Sequence, residues 1–180
     1  MAKTYPKRGI QVFAPNDAYL SAVSVYLPEG QTQTFEGVNP VVVTNGYVVL
    51  AADPVTAIAG ICVEDAHNSA ADGTYNIRVV PVNEDVGIYA NFLANAAADN
   101  VLAAADLYLK RDLEYDANMI STGVGGWYIE DGAAAASVRI VSFNSDIAIP
   151  NSSESIAKVG DTNARVSALF LDSVVQAYIA

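Results

Sequence analysis

The stretch VVVTNGYVVLA, residues 41–51, places an Asn-Gly pair between two runs of β-branched residues. An Asn-Gly pair flanked by apolar runs is the strongest short-range signal for a β-hairpin, because a type I′ turn needs a positive φ at both central residues. With Asn-Gly as the loop, Val41 faces Leu50 and Thr44 faces Tyr47. Both faces of this hairpin are apolar, so we predict that it is buried on both sides or closes part of a barrel.

The rest of the chain continues in short runs of alternating or β-branched residues, which are separated by turn residues. About nine short strands at intervals of roughly 8–12 residues are typical of an all-β sandwich or barrel. We therefore predict an all-β fold, a small β-barrel or β-sandwich. Besides the hairpin, the expected strands cover residues 20–27, 31–37, 57–65, 74–82, 86–94, 106–114, 127–129, 136–143 and 164–171, with a further edge segment at 147–150.

Two segments depart from this regular pattern. Gly60, in the middle of AIAGICVED, predicts a bulge, a bend or a close approach between two backbones. Residues 95–104, NAAADNVLAA, favour a loop or one short Ala-rich helix, since Ala is the best helix former but Asp and Asn interrupt the run.

The chain has 180 residues, of which 52% are hydrophobic and 16% are charged, and this composition excludes an intrinsically disordered chain. Residues 1–18 contain two prolines and little periodicity, so we expect an extended N-terminal arm followed by a single β domain at 19–180. Neither a signal peptide nor a membrane-spanning apolar run is expected.

The net charge of −11 is distributed unevenly along the chain. Three basic residues, Lys3, Lys7 and Arg8, lie in the first eight positions, and the remainder carries six basic against twenty acidic residues. Such a body repels nucleic acid, because phosphate contacts need clustered Lys and Arg. The basic arm either contacts an acidic partner or is a disordered terminus.

Few residues suit catalysis, so we expect no enzyme activity and no cofactor. The single cysteine, Cys62, is flanked by apolar residues and is expected to be an inert core thiol. The single histidine, His67, is expected in a solvated turn, since zinc sites need three or four nitrogen or sulfur ligands. A hydrolase would instead require His67 in a cleft beside Ser69 or Ser153, although no GxSxG motif accompanies a serine.

Acidic residues alternate near the middle of the chain. Asp112, Glu114 and Asp116 would share one face of a strand, with Asp106 nearby, and oxygen ligands at such spacing could hold a hard cation. We favour the alternative of an acidic strand that faces solvent.

Ten tyrosines accompany one tryptophan. Tyrosine suits interfaces that stay partly wet, although many tyrosines simply cover a core with the hydroxyl at the surface. If Trp127 and Tyr128 formed an exposed aromatic platform, the chain could be an adhesive or carbohydrate-binding β-sandwich of a virion fibre or cell surface.

Taken in order, several pieces of the sequence resemble phage capsid decoration proteins, also called head-stabilising or cement proteins. The resemblance covers about residues 20–176 but not the arm or the Ala-rich run. Its pieces are PVVVTNGYVVLAADPVTAIAGICVEDAHNSAADGTYNIRVVPV (40–82), DLYLKRDLEYD (106–116), GGWYIEDG (125–132), VRIVSF (138–143) and GDTNARVSALFLDSVVQ (160–176).

This resemblance implies a non-enzymatic β-barrel or sandwich that binds the major capsid protein on the outer surface of the phage head, often as a trimer, and strengthens the shell. No motif of the resemblance identifies contact residues. From the residues alone, we expect the arm to add a strand to a neighbour's sheet edge. The expected partner-binding residues are Lys3, Tyr5, Lys7, Arg8 and Phe13 of the arm and Tyr47 of the hairpin.

Overall fold

The computed structural model describes Thr4 and residues 7–13, 24–83, 86–95, 99–121, 124–143 and 158–176. The described chain contains eleven strands and one short 3-10 turn, Ala104–Asp106, which confirms the predicted all-β class. The strands are β1 Gln11–Phe13, β2 Val25–Pro28, β3 Asn39–Thr44, β4 Tyr47–Leu50, β5 Gly60–Cys62, β6 Asn76–Pro81, β7 Gly87–Leu93, β8 Lys110–Ser121, β9 Val124–Glu130, β10 Val138–Ser142 and β11 Arg165–Phe170.

Five strands form a closed barrel in the hydrogen-bonded order β7-β11-β10-β8-β9. A parallel pairing of β9 with β7, in which Phe92 lies opposite Ile129, closes the ring. Strand β1 adds to the barrel by pairing antiparallel with the first half of β7, where Phe13 lies opposite Gly87. Closing the ring leaves no free edge between β7 and β9.

The second sheet has the order β2-β6-β5-β3-β4 and is antiparallel throughout. A single bridge joins Glu29, just after β2, to Val48 in β4, so the two outer strands of this sheet also meet. Ile61 of the second sheet packs in the same apolar cluster as Ile88 and Ile140 of the barrel. The two sheets therefore share a core.

The β3–β4 hairpin has the predicted turn and register. Val41 pairs with Leu50 and Thr44 with Tyr47, and the two loop residues have φ angles of 52° and 86°. The expectation that it is buried on both sides is wrong, because Leu50 is 40% exposed. Through Val48, the hairpin instead helps to close its sheet.

Gly60 allows the close backbone approach that the sequence predicted. A Cβ placed there would lie 2.6 Å from the carbonyl oxygen of Val80 on the neighbouring strand β6 and would collide with the Val79 side chain. Glycine is required at this position because a side chain would separate β5 from β6.

The predicted strand at residues 31–37 is absent, and this segment is an irregular loop. Thr32 has a φ of 58°, and the Gln33 side chain accepts a hydrogen bond from the Leu50 N–H at 2.9 Å. A side-chain amide thus takes the place of a strand partner along this part of β4.

The strand predicted at 106–114 begins later and extends further, as β8. The Asp106 carboxylate accepts a hydrogen bond from the Ala103 N–H at 2.8 Å and so forms the 3-10 turn. Tyr108 then has a φ of 65°, which delays the start of the strand. Residues 99–103 are not helical. Residues 96–98 of the expected Ala-rich helix and the expected edge segment at 147–150 lie outside the described residues.

Candidate functional site

A cleft of about 840 Å³ lies between three parts of the chain that are distant in sequence. One wall is the loop at 32–39, the opposite wall is the outer half of the β8–β9 hairpin, and Gly9 and Ile10 lie at one side. The volume is within the range of roughly 300–1,000 Å³ typical of ligand sites. The hairpin wall consists of Tyr115, Ile120 and Val124–Trp127, and Leu50 and Asp65 also line the cleft.

Asn39 fixes the loop wall of this cleft. Its side-chain amide donates to the carbonyl oxygens of Glu36 at 2.8 Å and Gly37 at 3.2 Å, and its Oδ1 accepts from the indole N–H of Trp127 at 2.9 Å. The Gly37 N–H in turn donates to Asp65 Oδ1 at 2.6 Å. The loop is therefore joined both to the barrel and to the segment after β5, and the cleft is a preformed feature.

The hairpin wall is built on two glycines of β9. A Cβ at Gly125 would overlap the Tyr115 hydroxyl, and one at Gly126 would lie 3.1 Å from the sulfur of Met119. The Tyr115 ring also packs against Trp127, with ring centroids 5.4 Å apart. These contacts fix the Tyr115 ring at the cleft wall while leaving the residue 41% exposed.

Several exposed apolar side chains cluster at the rim of the cleft. Ten large apolar side chains are exposed among the described residues, and four of them line this cleft. Exposed apolar groups that cluster in this way mark interaction sites, whereas single ones are ordinary. The four are Leu50, Tyr115, Ile120 and Val124.

The charges of the cleft are negative. Glu36 and Asp65 line it, and no Lys or Arg is among its described lining residues. An acidic lining favours a partner group that carries positive charge.

The described part of the expected arm lies on the protein's own barrel. Ile10 is 4% exposed and packs in the core, and strand β1 pairs with β7. The Arg8 N–H donates to Asn91 Oδ1 at 2.9 Å, and the ammonium group of Lys7 lies 3.9 Å from the Asp99 carboxylate. Residues 7–13 are therefore integral to the domain.

The other expected partner-binding residues have mixed placements. Phe13 packs on the Tyr89 ring with centroids 4.7 Å apart. Tyr47 is half-buried, and its ring lies over Gly73, where an added Cβ would be 3.2 Å away. Lys3 and Tyr5 lie outside the described residues.

Arg165, which the sequence did not single out, holds the N-terminal segment in place. It is 9% exposed and donates to the carbonyl oxygens of Gly9 at 3.2 Å and Tyr89 at 3.1 Å. Its guanidinium also donates to Gln11 Oε1 at 3.3 Å. Arg165 belongs to the GDTNARV piece, whose Asn163 donates to Asp99 at 2.8 Å. The signal available in the sequence was an Arg inside a run of apolar strand residues, ARVSALFL, where a charged residue is unusual.

His67 is exposed, as expected, but its ring is held in place. Nδ1 lies 2.6 Å from the Glu29 carboxylate, and the ring stacks on Tyr75 with centroids 4.5 Å apart. The Ser69 hydroxyl donates instead to the Ala71 carbonyl at 3.0 Å, and His67 does not line the cleft. Ser153 lies outside the described residues. The described contacts thus form a histidine–carboxylate pair without a serine hydroxyl bonded to it.

The acidic residues of β8 do not simply face solvent. Asp112 is 2% exposed, and its carboxylate accepts hydrogen bonds from the N–H groups of residues 134–136. Carboxylate oxygens of Asp112, Glu114 and Glu130 lie within 4.8 Å of one another, whereas Asp116 accepts from the Asn118 N–H. Burial, followed by the neighbouring carboxylates, raises the pKa of Glu130 above its usual value. Asp106 pairs with Arg111 at 3.1 Å.

Trp127 and Tyr128 do not form the exposed aromatic platform that the carbohydrate-binding alternative requires. Trp127 is 2% exposed and Tyr128 is 3% exposed. Tyr128 packs with Leu93 and Met119, and its hydroxyl donates to Glu114 at 2.9 Å. Sequence patterns at 125–132 could not show this, because the partner of the indole, Asn39, is 88 residues away.

Cys62 is a buried core thiol, as expected. It is 0% exposed and donates to the Glu64 carbonyl at 3.2 Å. Burial raises the pKa of the Cys62 thiol to about 11, so it is a poor nucleophile at neutral pH.

Comparison with protein-family models, curated proteins and solved structures returned no match in any of the three. Among the described residues, no helix is long and apolar enough to cross a membrane.

Proposed function

We propose that this chain is a phage capsid decoration protein that binds the outer surface of the head and stabilises it without catalysing a reaction. The observation that carries the proposal is the place of the resembling pieces in the fold. They supply strands β3 to β6 of the second sheet and β8 to β11 of the barrel. The resemblance therefore extends over the framework of the domain.

Contacts within and between these pieces support the proposal. Glu64 of GICVEDA accepts a hydrogen bond from the Arg78 N–H of NIRVVPV at 2.6 Å. Asp112 of DLYLKRDLEYD binds the loop that leads to VRIVSF through the N–H groups of residues 134–136. Residues of the resembling pieces thus form the hydrogen bonds that hold the strands and loops of this fold together.

The buried ionisable groups also have structural partners. Asp112 and Arg165 satisfy backbone groups, and Glu29 accepts from the His67 N–H at 2.9 Å. Charged groups are costly to bury, and here they stabilise loops and strand edges of the fold. Rigid binding to a shell needs such a framework and needs no reactive group.

The cleft geometry disfavours the alternative of a carbohydrate-binding module. Trp127 is buried, and the amide groups of Asn39 and Gln33 are bonded to the framework. A sugar site needs polar side chains that are free to bind hydroxyl groups and an exposed aromatic face. Among the described residues that line the cleft, Tyr115 is the single exposed aromatic residue.

The partner in this proposal is the major capsid protein, and the chain acts as a homo-oligomer, a trimer over a local three-fold site, on the outside of the virion. Its acidic body favours this outer location, since it would repel the packaged DNA. The test mixes the purified chain with phage heads that were assembled without it. We expect saturable co-sedimentation and heads that retain their DNA at higher temperature.

Heads that already carry the chain are the control, and they should take up no more of it. Failure of the chain to co-sediment with its own undecorated heads would remove the proposal. Binding in a glycan array without binding to heads would favour the carbohydrate alternative.

A further inference from the structure

We propose that the cleft between the 32–39 loop and the β8–β9 hairpin binds a segment of a partner protein that carries aliphatic side chains and a Lys or Arg. This inference rests on the proposed function, in which that partner is the major capsid protein.

The apolar rim indicates a protein partner. Leu50, Ile120 and Val124 are 40%, 37% and 47% exposed and carry no polar atoms in their side chains. Aliphatic side chains of a partner would remove this apolar surface from water, which favours association. Interface cores depend on such contacts.

The charge of the cleft specifies the partner further. Glu36 and Asp65 line the same wall, and the Gly37 N–H, bonded to Asp65 Oδ1, holds Asp65 there. Since the described lining contains no Lys or Arg, these two carboxylates make the electrostatic potential in the cleft negative. A Lys or Arg beside the partner's aliphatic residues would meet this charge.

The cleft is ready for binding without rearrangement. Asn39 fixes the loop wall through three hydrogen bonds, and Trp127 and Gly125 position the Tyr115 ring. A site that is already ordered avoids the entropy cost of ordering its loops on association. Thr32 in this wall has a φ of 58°, which is strained for a β-branched residue. Strained backbone conformations of this kind often occur in functional loops.

The test uses a photo-crosslinker placed on the cleft wall. Thr34→Cys introduces an exposed thiol at the cleft, and Val101→Cys introduces one at a residue that is 57% exposed and outside it. The native Cys62 is buried and its pKa is raised to about 11, so a benzophenone maleimide will label only the new thiol. Each labelled protein is bound to undecorated heads and irradiated.

We expect position 34 to crosslink to the major capsid protein and position 101 to give little product. Mass spectrometry of the crosslinked peptide should find an aliphatic segment with a Lys or Arg. Equal crosslinking from both positions, or crosslinks from position 34 only to another copy of this chain, would overturn the inference.

A second measurement uses binding strength. The double variant Leu50→Ser, Val124→Ser should weaken head binding by about tenfold or more, since rim contacts are lost. The matched control Val101→Ser, Val159→Ser changes two residues that are more exposed and outside the cleft, and it should stay within about twofold. Melting temperatures check that both variants are folded.

The two proposals fail differently. If the wild-type chain does not co-sediment with heads, both fall. If the wild-type chain binds and the cleft variant binds equally well, only the assignment of the cleft is wrong and the decoration function stands.

Discussion

Glu130 shows how a single carboxylate can be destabilising in its folded environment. It lies on β9 beside Glu114 and Asp112, with their carboxylate oxygens within 4.8 Å of one another. Its pKa is raised above the usual 4.5, first by burial and then by Glu114. A carboxyl whose folded pKa exceeds its unfolded value binds its proton more tightly when folded. Its effect on stability is therefore absent below the unfolded pKa and becomes a cost as pH rises through the folded pKa.

We predict that Glu130→Gln raises the melting temperature at pH 7, by about 2 °C. The neutral amide avoids the repulsion and can donate a hydrogen bond to Glu114. The gain should shrink as the pH is lowered toward about 4, where the native carboxyl is protonated as well. Thermal unfolding followed by circular dichroism between pH 4 and 8 measures this. Glu36→Gln, on the exposed loop, is the matched control for net charge. A gain of the same size at every pH would contradict the explanation.

At the scale of the elements, strands β5 and β6 depend on the absence of a side chain at Gly60. A Cβ there would lie 2.6 Å from the Val80 carbonyl oxygen, and backbone cannot move aside as a flexible side chain can. We predict that Gly60→Ala lowers the free energy of unfolding by about 2–3 kcal/mol, as overpacking does.

Urea denaturation with linear extrapolation measures the effect of Gly60→Ala. Gly9→Ala is the matched control, because its added Cβ would have the Ile120 side chain as its nearest neighbour, at 4.0 Å. The control should change stability by less than about 0.5 kcal/mol. Equal losses in both variants would show that the close approach at Gly60 is not the cause.

The elements also show what sequence alone could predict. The β3–β4 turn depends on two adjacent residues, so its type and register could be predicted from Asn45 and Gly46. Residues 31–37 alternate like a strand, but hydrogen bonds from Leu50 and Asn39 hold them as a loop. Which residues donate these hydrogen bonds is determined by the tertiary structure and cannot be read from the local sequence. The cleft could not be predicted for the same reason, since its walls come from three separate parts of the chain.

At the scale of the whole molecule, the N-terminal segment completes the domain. Ile10 packs in the core shared by both sheets, and β1 pairs with β7. Arg165 of β11 donates to Gly9 and Gln11 of this segment. Arg165 is buried and charged, and loss of the Gly9 and Gln11 acceptors would leave this cation with fewer hydrogen-bond partners in the barrel. Residues 7–13 of the expected arm therefore contribute a strand and a core side chain to the protein's own barrel.

We predict that deletion of residues 1–13 lowers the free energy of unfolding by more than about 3 kcal/mol, because it removes the core side chain of Ile10 and two of the described hydrogen-bond acceptors of Arg165. Denaturation midpoints in urea measure the loss. Deletion of residues 1–3 is the control, since it keeps the described contacts of Thr4 and of 7–13. If the longer deletion is as stable as the control, the segment is dispensable for the fold. If that stable variant also bound heads more weakly, the N-terminal segment would instead act as an arm that contacts the partner.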